Sequence, residues 1–145
     1  MAEVVLRHQA LSRRLADGLV IESAGIAADV GFDIDRRARK ALERRGYGSV
    51  SHKAQQFEPR WLETIDLVVA MDQGHVRWLE KRAPAASRAD VRLLLSYLSA
   101  PGTPAGSLEI ADPYYGNEAA FESSLDLIEA GCAALIEEVA PTLGR

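Results

Sequence analysis

The stretch Asp66-Leu67-Val68-Val69-Ala70-Met71-Asp72 restricts the fold more than any other, because it is apolar in the middle with an acid at each end. A short apolar run of this kind, bounded by polar residues, reads as a strand buried within a sheet. Helical patterns lie on both sides. Ile34, Ala38, Ala41 and Leu42 share one helical face, with Asp35 placed to cap its start and Gly46 its end, just after Arg44 and Arg45. After the strand, His75 to Arg82 returns to helical character before Pro84, and Val91 to Leu95 gives a second apolar strand. Leu19, Val20 and Ile21, closed by Ser23-Ala24-Gly25, read as a further buried strand ending in a turn. Strands alternating with helices predict an α/β fold, three layers deep, around a small parallel sheet.

Helical spacing also predicts a helix from the first residue through Val4, Val5, Leu6, Leu11 and Leu15, with Gly18 as its stop. A short helix is expected over Glu58 to Thr64, and a loop from Leu98 to Leu108. The last helix is the clearest: Phe121, Leu125, Ile128, Cys132, Leu135 and Val139 recur at steps of four and three and so line one face. With 145 residues, no internal repeat and no shift in composition, a single domain is expected. The net charge of −4 offers no basic face for a nucleic acid, so no nucleic-acid partner is expected. No apolar run approaches the roughly 18 residues of a membrane span, and no leader pattern begins the chain. The expected setting is cytoplasmic, without a membrane partner.

Ligands of such folds bind at the carboxyl ends of the strands, an edge at which Ser23, Asp72 and the loop to Asp112 are expected to gather. The most informative stretch is Ala111-Asp112-Pro113-Tyr114-Tyr115-Gly116. Pro113 holds Asp112 in extended geometry, which projects its carboxyl group from the loop. Adjacent tyrosines in a loop are not both easily buried, so at least one is expected to offer a flat wall to a ligand. The plainer alternative is a turn with a solvated aspartate. Cys132 is the one thiol, and its place on the apolar face of the last helix marks it as core. His52 lies in a loop and suits a hydrogen-bonded structural role. His8 and His75 fit solvent-facing helix positions, and Trp61 and Trp78 fit packing of short helices. No zinc site, Walker loop or dinucleotide fingerprint is present, so neither a metal nor a cofactor is expected.

Asp112-Pro113-Tyr114-Tyr115-Gly116, followed by Asn117 and then Phe121-Glu122, resembles the acid loop and last helix of the low-molecular-weight protein-tyrosine-phosphatases. Met1-Ala2-Glu3, Glu22-Ser23-Ala24-Gly25, Ser51-His52-Lys53-Ala54 and Val69-Ala70-Met71-Asp72 resemble further stretches of that family, in the right order. The resemblance implies hydrolysis of phosphotyrosine, in a protein or as a small aryl phosphate, through a cysteinyl-phosphate intermediate. It makes Asp112 the general acid and then base, Tyr114 and Tyr115 a wall beside the substrate ring, and Ser23 and His52 braces for the phosphate loop. That loop has a cysteine followed six positions later by an arginine. This chain has no such pair: six residues after Cys132 stands Glu138.

The resemblance therefore implies that the family's first strand and phosphate loop would lie immediately before Met1; the expectation is that Met1 is an internal methionine of a longer protein, the alternative being a chain truncated in nature. In the family that strand is central, in the order 2-1-3-4, and without it the neighbours stand about 10 Å apart. The 145-residue chain is accordingly expected to be inactive, and to fold poorly or to close the gap by rearrangement or strand exchange between copies. Two other readings compete. One is a non-catalytic binding protein that keeps the Tyr114–Tyr115 pocket. The weaker is an arsenate reductase relative, whose chemistry needs several cysteines.

Overall fold

The computed structural model describes residues 1–143. Among these residues four α-helices and two strands follow in the order α1 (Ala2–Ser12), α2 (Arg36–Arg44), β1 (Leu67–Ala70), α3 (Gln73–Arg82), β2 (Asp90–Leu93) and α4 (Glu118–Leu143). The strands pair in parallel, with Leu67 opposite Asp90 and Ala70 opposite Leu93. Single 3-10 turns occupy Ala16–Gly18, Pro59–Glu63, Leu94–Leu98, Ala105–Leu108 and Pro113–Tyr115. A small parallel sheet with helices is thus the architecture, as the alternation predicted.

The predicted helices and strands shift where side chains compete with the regular pattern. Asp35 caps α2 as expected, accepting from the Arg37 amide at 2.7 Å. Asp72 leaves the strand to cap α3, accepting from the His75 amide at 2.8 Å. The first helix ends at Ser12, well before Gly18. Arg14 adopts a left-handed conformation (φ 58°), and the Leu15 amide donates back to Ala10 O at 2.9 Å. That closure usually falls to glycine, which is why an arginine gave no stop signal. The expected helix over Glu58 to Thr64 is a 3-10 turn, and the expected loop from Leu98 to Leu108 contains another. His75 is not simply solvent-facing, since its Nδ1 accepts from the Met71 amide at 3.3 Å. Phe57 lies edge-on to both Trp61 and Trp78, with centroids 5.3 and 6.3 Å away, as packing roles require.

The expected strand at Leu19 to Ile21 is corrected. Among the described residues this segment pairs with nothing, and Val20 is 94% exposed. Leu19 and Ile21 on the other side are half-buried, so among the described residues the segment packs by one face without a partner strand. The nearest pairing is an isolated parallel bridge between Gly25 and Gln56.

The core sits on α4. Phe121, Leu125, Ile128, Cys132 and Leu135 are buried along one face, with Val139 partly buried against it. Val5 of α1, Leu42 of α2 and Leu94 of the turn after β2 complete the same cluster. Gln9 of α1 donates to Glu129 O at 3.1 Å. Arg45 at the end of α2 bridges Glu122, Asp126 and Glu129, each at 2.8 Å, and Tyr47 donates to Glu129 at 2.6 Å. These ties lock α2 against α4, which sets where the start of α2 meets the start of α4.

Candidate active site

Asp112 opens the single turn Pro113–Tyr115. Its Oδ1 accepts from the Tyr114 amide at 3.0 Å, and Pro113 follows at the position where a missing N–H costs nothing. The Gly116 amide closes the turn on Pro113 O at 2.9 Å. Glycine is needed there for space, because a Cβ would lie 2.6 Å from that of Ala120. The loop is anchored behind by the Ile110 amide, which donates to Met71 O at 2.8 Å, and by Ser124 Oγ, which donates to Ala111 O at 3.2 Å. The Asp112 carboxyl is therefore carried just beyond the carboxyl end of β1 and is open to solvent. Tyr114 and Tyr115 stand edge to face, centroids 5.1 Å apart, and are 56% and 91% exposed. Beside the loop, a cleft of about 550 Å³ is lined by Asp72, Gly74, Arg77, Glu109 and Ala111 among others.

A second cluster forms at the start of α1. Glu3, largely buried, accepts from Ser23 Oγ at 2.5 Å, and His52 Nδ1 lies 3.5 Å from the same carboxylate oxygen. Arg7 pairs with the other oxygen at 3.0 Å and also donates to Ile21 O. Gln55 Nε2 donates to Ser23 O at 2.9 Å, tying the loop of His52 to that of Ser23. Sequence reasoning brought Ser23 and His52 to one site but missed Glu3, the residue that joins them. An acid in a first helical turn is too common to mark itself.

The structure does not bring all the expected residues together. Among the described residues, Asp112 makes no hydrogen bond or ion pair with Ser23 or His52; the cleft beside its loop is shared with Asp72 instead. Ser23 and His52 act on Glu3, not on the acid loop. Arg37 was also missed, and it reaches the loop from α2 with donations to Tyr114 O and Gly116 O, each at 2.8 Å.

Cys132 lies inside the core, with Sγ 3.9 Å from Ala2 O, and burial pushes its thiol up to about 12. A thiol so placed is neither deprotonated nor reachable, so it is no nucleophile. No three His, Cys, Asp or Glu side chains among the described residues come together to hold a metal ion. What the loop presents is a solvent-open carboxyl at Asp112 beside two exposed aromatic rings.

The model of the family "Low molecular weight phosphotyrosine protein phosphatase" matches residues 1–143. A low-molecular-weight protein-tyrosine-phosphatase of Streptomyces coelicolor is 39% identical over 141 residues, covering 96% of this chain and 84% of that protein. The low-molecular-weight phosphotyrosine protein phosphatase of Sus scrofa is 32% identical, covering 96% of this chain and 86% of its own. In three dimensions, a protein tyrosine phosphatase from Entamoeba histolytica superposes with a TM-score of 0.85 at 25% identity, covering 97% of this chain and 88% of that one. Family model, relatives and solved structure thus agree over nearly the whole length, and the chain belongs to the low-molecular-weight phosphotyrosine protein phosphatase family.

Proposed function

We propose that residues 1–145 form one phosphatase-like unit carrying the acid half of a phosphotyrosine-hydrolysing site. Asp112 is its general acid and base, and Tyr114 and Tyr115 are its aromatic wall. The reaction is written as the family resemblance implies. A cysteine thiolate attacks phosphorus and the bond to the aryl oxygen breaks, while Asp112 gives its proton to that oxygen. The Asp112 carboxylate then takes a proton from water as the water oxygen attacks phosphorus. The phosphorus–sulfur bond breaks, the thiolate departs and inorganic phosphate leaves. Ser23 and His52 brace the phosphate loop from behind, through Glu3.

The observation that carries this reading is the turn at Asp112. The carboxyl is solvent-open, fixed by its own backbone, and followed at once by two exposed rings. The thiolate and its arginine belong to a Cys-x5-Arg loop, which the 145 residues do not contain. The chain by itself is therefore inactive. A single buried cysteine also speaks against a thiol relay of the arsenate reductase kind.

The test is hydrolysis of p-nitrophenyl phosphate by this chain and by a chimera with the strand and Cys-x5-Arg loop of a family member placed ahead of Met1. The chain is expected to show no turnover and the chimera to turn over. Asp112→Asn in the chimera is expected to lower kcat by about 10²–10⁴-fold, the usual worth of a positioned acid. Turnover by the chain itself would refute the inactivity, and an unimpaired Asp112→Asn chimera the role of Asp112. Tight phosphotyrosine binding without turnover, even in the chimera, would favour a binding protein.

A further inference from the structure

We propose that Arg37 is a positioning residue for Asp112, an inference that rests on the reading of Asp112 as the acid. The first turn of α2 carries Arg36, Arg37 and Arg39, with no acid beyond the cap Asp35. Cations at that end oppose the helix dipole, so helix propensity alone does not account for Arg37. The surroundings of Arg37 do. One edge of its guanidinium is fixed by Asp35, with Nε to Oδ1 at 3.1 Å and a terminal nitrogen to Oδ2 at 3.0 Å. That same nitrogen donates to Tyr114 O at 2.8 Å, and the other to Gly116 O at 2.8 Å.

The guanidinium lies 4.6 Å from the centroid of Phe121, which is buried at the start of α4, and 5.8 Å from that of Tyr114. Three elements therefore meet on one flat cation. The two carbonyls it holds belong to the turn that Asp112 opens. With both fixed, the turn cannot swing away from the sheet edge, and the carboxyl keeps its aim. Only a planar fork of several donors can span a carboxylate and two carbonyls at once. A lysine, with one nitrogen, cannot reproduce it.

Amide hydrogen exchange on the 145-residue chain tests the clamp. In Arg37→Lys and Arg37→Met alike, the Tyr114 and Gly116 amides are expected to exchange about tenfold faster, the worth of one charge-assisted bond. Exchange within Leu67–Ala70 and Asp90–Leu93 is expected to stay unchanged. Unaltered loop exchange in both variants, or full rescue by lysine, would overturn the clamp.

The active chimera then tests its purpose. Arg37→Lys is expected to lower kcat about tenfold with little change in KM, and more for phenyl phosphate than for p-nitrophenyl phosphate, whose leaving group needs less help from an acid. A merely structural loss would lower both substrates equally, and that result would sink the positioning role. So would an unaffected Arg37→Lys beside a crippled Asp112→Asn. An unaffected Asp112→Asn would instead remove the acid itself, and the positioning role with it.

Discussion

Cys132 and Asp112 show how the surroundings of a side chain decide its chemistry. Both residue types serve phosphoryl transfer, yet one is sealed in the core and the other stands in solvent. Because burial pushes the Cys132 thiol up to about 12, a thiol reagent at pH 7.5 is expected to leave it untouched in the folded chain. The same reagent should label it fully in denaturant. Rapid stoichiometric labelling of the native protein would show that the α1–α4 seam opens readily. Asp35 is different again. Its hydrogen bonds from the Arg37 side chain hold its carboxyl below the usual range, so it stays ionised as both helix cap and seat for the arginine. Sequence patterning identifies Asp35 as a cap. The second role depends on where α4 and the acid loop lie, which no local pattern encodes.

At the scale of elements, α4 organises the molecule by how closely others approach it. Gly131 lets the turn Leu94–Leu98 lie against the helix, and a Cβ there would fall 2.7 Å from Leu94 Cγ. Leu94 is fully buried and cannot move aside. Gly131→Ala should gain about 1 kcal/mol of helix propensity but lose roughly 1–3 kcal/mol to overpacking. A net loss on the order of 1 kcal/mol is expected in urea melts, and a gain would show that the seam is loose. The period of Phe121 to Val139 made this helix and its buried face legible, because helical spacing is a local property. Arg44 and Arg45 were read as favouring the end of α2. They do stand there, in the last turn and at the C-cap, and they also pair with acids of α4, Arg44 with Glu122 at 2.6 Å and Arg45 with three carboxylates.

At the scale of the whole molecule, the sheet is the exposed point. Among the described residues β1 pairs only with β2, and the extended segment holding Val20 lies unpaired. Val30 and Phe32 are also well exposed nearby in sequence. Unpaired strand edges with apolar side chains invite pairing between copies. The chain is therefore expected to self-associate with rising concentration in sedimentation velocity, and Val20→Lys to shift it toward monomer. A wild-type chain that stays monomeric at high concentration would show that these edges are harmless.

The sequence alone determined the alternation of strands and helices, the α4 face, the caps at Asp35 and the exposed Asp112–Tyr115 turn. Each of these rests on spacing or backbone geometry within a few residues. Only the tertiary structure decided that Leu19 to Ile21 stays outside the sheet, that Glu3 joins Ser23 to His52, and that Arg37 grips the acid loop. Those outcomes depend on partners tens of residues away, whose approach is set by packing on α4 rather than by any pattern along the chain.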